Sequence, residues 1–140
     1  MDIKKLAIAT IASFATMFVV GYLGHMYILA DFIANNPGSI GDASREAPLI
    51  PFIALGSITL AFLMSYMYPK GVEGSNHIMQ GLKFGMIIGV LWLVPHSTIL
   101  YGATTFFSKT FILGDSLWHL VEQGLGGIVI ALVYGKGTDA

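Results

Sequence analysis

Asp115, His119 and Glu122 follow one another at spacings of four and three residues, which on a helix places all three on one face. A carboxylate one turn from an imidazole can orient the ring and set its tautomer. Helical bundles that bind iron, manganese or zinc present their carboxylate and histidine ligands in this way. His25 and His96 also fall inside apolar stretches, and either would complete a ligand set or a proton relay with the first three. Ionisable groups in hydrocarbon are costly, so each one is a functional-site candidate by default. The simpler reading makes His25 and His96 headgroup-level anchors alongside Tyr22, Tyr27, Trp92, Tyr101 and Trp118. Glu122 is then a buried acid bonded to a histidine, Ser97 or Thr98. A di-metal centre asks for more carboxylates than these, and with no cysteine in the chain thiolate sites and thiol catalysis are excluded.

The elements that must position these residues are four apolar stretches: Leu6–Ala30, Leu49–Tyr68, Ile78–Tyr101 and Gly114–Tyr134. Each is close to the roughly 20 residues that a helix needs to cross a bilayer. Hydrophobic residues make up 55% of the 140 and charged residues 11%, and the mean hydropathy is +0.75. A water-soluble domain of this size needs more polar surface than that. The expectation is an all-α, polytopic transmembrane four-helix bundle, one domain over residues 1–140. Its intervening segments are too short to form a core of their own. With 7 basic and 8 acidic residues and a net charge of −1, there is no basic stripe for phosphates, which argues against nucleic acid as a partner. Lys4 and Lys5 ahead of an apolar run resemble the start of a secretory signal. The run's continuation to Ala30 favours a retained first span instead.

Lys4, Lys5, Lys70, Lys83 and Lys136 fall on one side of this topology and Arg45 and Lys109 on the other, so the positive-inside tendency puts both termini in the cytoplasm. Asp31, Asp42, Glu46 and Asp115 fall on the outer side. The segment Asp31–Pro48, with Asn35-Asn36-Pro37-Gly38 at its start, reads as turn chemistry and is expected to be an external loop of medium length. Tyr66, Tyr68 and Pro69 close the second span. Gly81, Gly85 and Gly89 recur every four residues, lining one face of the third span with backbone so that another helix can approach closely. Ser57, Ala61 and Ser65 do the same for the second span, Gly124 and Gly127 for the fourth, and Gly21 and Gly24 for the first. Packing within one bundle is the plain use of these faces, and a seam between subunits the alternative. Pro95 removes a backbone hydrogen bond inside the third span, predicting a kink and, in a functional reading, a cavity beside His96. Lys83 is expected to snorkel to the headgroups.

Gly21-Tyr22-Leu23 leading into Ala30-Asp31-Phe32-Ile33-Ala34-Asn35, Gly81-Leu82-Lys83-Phe84-Gly85, and Leu100-Tyr101-Gly102-Ala103-Thr104-Thr105 resemble a family of small four-span bacterial membrane proteins with no assigned function. The resemblance covers nearly the whole chain. It implies the fold and a bacterial inner-membrane location, and no activity; His25 and His96 depart from the family's pattern. Three functions follow as expectations. The first is a non-catalytic accessory subunit, packing against other membrane subunits or against itself in the lipid bilayer. The second is a small transporter or channel with a polar site in the outer half of the bilayer, and the third is an intramembrane metal- or haem-binding protein. No catalytic signature is present, and the first two call for no cofactor.

Overall fold

The computed structural model describes residues 2–37, 45, 47–71 and 76–135. Gly38, Asp42, Glu46 and Lys136, which the sequence reading used for the first loop and for topology, lie outside them. Among the described residues the structure is helical throughout: α1 (Ile3–Leu23), a π-helical turn (Gly24–Ile28), α2 (Ala30–Asn35), α3 (Ile50–Met67) with a 3-10 turn (Tyr68–Lys70), α4 (His77–Ala103) and α5 (Lys109–Tyr134). An isolated bridge between Pro37 and Phe107 is the one extended pairing among them. Four segments are long and apolar enough to cross a membrane: Ile3–Ile28, Ile50–Lys70, His77–Ala103 and Lys109–Tyr134.

Helix ends differ from the apolar boundaries because polar caps lie outside the hydrophobic run. The Asp2 carboxylate accepts from the backbone N–H groups of Lys4 and Lys5. The Ser108 hydroxyl accepts from Phe111 N–H at 3.0 Å, starting α5 five residues before Gly114. Each satisfies donors that the first turn leaves free. The expected loop beginning at Asp31 is instead a short helix over its first residues. Asn35 and Asn36 donate their side-chain N–H groups back to the carbonyls of Asp31 and Phe32 at 2.7 and 2.8 Å, closing its final turn.

In the bundle, α5 packs against α4 on one side and α1 on the other, and α1 packs against α3. The α4–α5 seam is made by glycine. A Cβ on Gly81 would stand 2.5 Å from the Gly127 carbonyl oxygen, and one on Gly85 would fall on the Gln123 carbonyl. At Gly89 the nearest atoms are His119 O and Leu120 Cδ2, both at 3.2 Å. The ridge is thus occupied inside the chain by α5. Ala61 and Ser65 of α3 are fully buried, whereas Ser57 is only partly covered.

The start of α1 and the end of α5 meet at one end of the bundle, where the Lys5 ammonium donates to the Tyr134 carbonyl at 3.3 Å. There α3 is drawn in as well: Tyr134 O–H donates to the Ser65 carbonyl at 2.9 Å, and the Tyr68 ring lies edge-on to Phe84 at 5.4 Å. The opposite end carries α2 and the α4–α5 turn, tied together by Ser108 O–H donating to the Asn36 carbonyl at 2.8 Å. Toward this loop end α3 meets α1 and leaves α5, so a cavity remains between the three helices. Phe52, Leu91 and Ile99, 70, 67 and 71% exposed, point outward, an arrangement suited to an apolar surrounding such as hydrocarbon.

Candidate polar site beneath the loop end

At 1.5 Å per residue, Asp115, His119 and Glu122 stand about 9, 15 and 20 Å along α5 from its start. His25 comes to the same level from α1, and the π-helical turn is what brings it there. In that turn Leu29 N–H bonds to the Gly24 carbonyl, five residues back, at 2.7 Å. Gly24 carries no side chain because the Trp118 indole occupies that space. A π turn adds a residue to the helical circuit and re-aims the side chains it contains, and such turns recur at functional sites.

The ring of His25 is fixed at both nitrogens. Nδ1 lies 2.8 Å from the Gly21 carbonyl oxygen, which only accepts, so Nδ1 carries the hydrogen and donates. Nε2 is 3.0 Å from Asp115 Oδ1. The other oxygen of the same carboxylate, Oδ2, lies 3.8 Å from His119 Nε2, and His119 Nδ1 in turn is 3.2 Å from Glu122 Oε2. That last contact is off the ring's N–H direction, so His119 Nδ1 remains a buried atom with no hydrogen bond. Gly21 serves the site twice, since a Cβ on it would stand 3.1 Å from Glu122 Oε2. Its missing side chain is the space that the carboxylate fills.

Two acceptors 3.0 Å apart repel unless a cation lies between them. If Nδ1 of His25 holds the ring's only hydrogen, Nε2 turns a lone pair toward Asp115; a proton fits on that line, whereas a metal ion, with bonds of about 2.0–2.2 Å, would stand to one side of it. One ligand atom from each of His25, Asp115 and His119 falls within 4.8 Å of the others. Ligands about 2.0–2.2 Å from a zinc-sized ion sit closer together than that, so His119 would have to draw nearer for all three to reach one ion. His25 is also backed as metal-bound histidines are, by the Gly21 carbonyl behind Nδ1; His119 Nδ1 has the Glu122 carboxylate nearby but no hydrogen bond to it.

Of the residues singled out in sequence, His25, Asp115, His119 and Glu122 converge. His96 does not: it is exposed on the outer surface of α4. The depression around Pro95 is lined by Met86, Ile87, Val90, Leu91 and Pro95, without His96, so the cavity expected beside that histidine is absent from the described structure. α4 itself runs unbroken through Pro95. Ser97 and Thr98 do not partner Glu122; His119 is its neighbour. Trp118, grouped in sequence with the interfacial aromatics, is half-buried against Gly24 with its Nε1 enclosed, whereas Tyr22, Tyr27, Trp92 and Tyr101 are exposed.

Comparison with family models, curated proteins and solved structures returns no match. Function must therefore be argued from the site itself.

The cavity at this level has a volume of about 240 Å³. His25, His119 and Glu122 form its polar wall, and Met17, Phe18, Tyr22, Met26, Ile50 and Ile53 are among the residues that make the rest apolar. A largely apolar concavity with a few convergent polar groups is the usual form of a small-molecule or metal site.

Proposed function

We propose that this chain is a multi-pass protein of the bacterial inner membrane, with both termini cytoplasmic, that binds a divalent transition metal in the outer half of the bilayer. His25 Nε2, Asp115 and His119 Nε2 are the ligands, and Glu122 backs His119. Among the accessory-subunit, transporter and metal-binding readings, the third is the one that the geometry favours. The observation that carries it is the paired orientation of the two imidazoles: both turn Nε2 toward one carboxylate, while the Gly21 carbonyl accepts from His25 Nδ1 behind the first of them.

A proton alone satisfies His25 and Asp115 but leaves His119 Nε2 stranded 3.8 Å from Oδ2, too far for a hydrogen bond. A dication spans all three groups. It also balances the charges of Asp115 and Glu122 against two neutral imidazoles, giving a neutral unit at a depth where unbalanced charge is expensive. Two histidines and one carboxylate suit zinc, or ferrous iron with open coordination positions. Haem is less well served, because both Nε2 atoms are directed at the Asp115 carboxylate rather than free as axial ligands.

The test is metal analysis of protein purified without a histidine tag and dialysed against zinc or ferrous iron. Stoichiometric metal that is lost in Asp115→Ala supports the proposal. A chain that retains no metal above background in detergent and in lipid nanodiscs sinks it.

A further inference from the structure

The wall that carries His25 and His119 faces the apolar cavity between α1, α3 and α5, and the rim of that cavity is itself turned outward. Tyr22, Met26, Ile50 and Ile53 are each about half exposed, at 47–50%, and they flank the opening between α1 and α3. In a chain whose outward surface meets hydrocarbon, a rim of this composition opens sideways into lipid rather than upward into water. Three protein ligands also fall short of the four or more that these metals take, so an exogenous ligand completes the shell. Glu122 lines the same cavity as the two histidines and is an acceptor able to take a hydrogen bond from a hydroxyl group.

Resting on the metal reading above, we infer that the open coordination position is reached from the bilayer through this cavity and takes a lipid-soluble alcohol or phenol. The oxygen of the ligand meets the metal, its O–H donates to Glu122, and its apolar body lies against Phe18, Tyr22 and Ile53. A cavity of about 240 Å³ accommodates a substituted six-membered ring or a short alkyl chain, and excludes a whole phospholipid.

Cobalt(II) reports on both steps, since its visible absorption appears on binding and changes with the coordination shell. The protein is placed in nanodiscs, loaded with cobalt(II), and titrated with 4-pentylphenol, which partitions into lipid, or with 4-hydroxybenzenesulfonate, which stays in water. The expected result is a saturable change in the cobalt bands with 4-pentylphenol and none with the sulfonate. Ile53→Trp, which fills the mouth, weakens the 4-pentylphenol response by about tenfold or more; Ile50→Trp replaces it should the first variant lose its helical circular dichroism. Absence of any cobalt spectrum overturns the metal reading. A cobalt spectrum that is indifferent to 4-pentylphenol, that responds equally to the sulfonate, or that responds unchanged in both folded cavity-filling variants leaves the metal site standing and overturns the inference.

Discussion

Replacing Gly85 by alanine tests the packing on which the site depends. The added Cβ falls on the Gln123 carbonyl oxygen, 2.7 Å from its carbon and 2.9 Å from Gly124 Cα, where carbon atoms ordinarily stay about 3.5–4.0 Å apart. All three obstacles are backbone of α5, so none can swing aside, and α4 and α5 must separate by roughly 1 Å. Overpacking of this kind costs about 1–3 kcal/mol. Alanine also favours a helix interior by about 0.5–1 kcal/mol over glycine, and that gain has to be removed from the comparison. Gly56→Ala in α3 does so: the position is helical, exposed, and has nothing within 4 Å of a new Cβ. The difference in unfolding free energy between the two variants isolates the clash and is expected to be about 1–3 kcal/mol. The assay is equilibrium unfolding in mixed micelles followed by circular dichroism, with particle mass checked by light scattering. Equal stability of the two variants would refute the close seam. Dissociation of a folded oligomer on Gly85→Ala would move the seam to a subunit interface.

Glu122→Gln removes a carboxylate 3.2 Å from His119 Nδ1 and one of the two negative charges that offset the dication, and should lower metal affinity, whereas His96→Ala should leave affinity unchanged; isothermal titration with zinc measures both. Tyr134→Phe removes the hydroxyl that donates to the Ser65 carbonyl at 2.9 Å and should cost about 0.5–1.5 kcal/mol in the same unfolding assay, with metal binding intact because the contact lies at the far end of the bundle. The chain has no cysteine, so single-cysteine labelling is clean. Ala47→Cys should react with an impermeant maleimide from the periplasm and Gly71→Cys only after permeabilisation, and the reverse pattern would invert the topology.

The spans were legible because a bilayer demands long apolar runs, a signal that survives uncertainty in any single residue. Their ends were less so: Ser108 caps α5 from within a polar flank, and Asn35 and Asn36 extend helical structure by bonds to their own backbone, neither of which hydropathy registers. Within the site, the spacing of Asp115, His119 and Glu122 revealed a shared face, yet it suggested Asp115 as the partner of His119. The closer contact of Asp115 is with His25 from α1, at 3.0 Å.

His96 was misplaced because depth along a helix says nothing about facing. Gly81, Gly85, Gly89, Leu93 and Ser97 are all buried on α4 at steps of four. His96 lies one residue, or about 100° of rotation, off the last of them. Extending the glycine ridge by two more steps would have revealed this. The π-helical turn had no such signal. Within it the Trp118 indole occupies the space above Gly24, a contact between residues 94 positions apart.

X-ray absorption at the zinc edge of the metal-loaded, untagged protein in nanodiscs bears most directly on the shared cation. The account predicts a first shell of nitrogen and oxygen at about 2.0–2.1 Å with the outer-shell scattering of two imidazoles, falling to one in His25→Ala. A spectrum without imidazole scattering, or one that His25→Ala leaves unchanged, would contradict it.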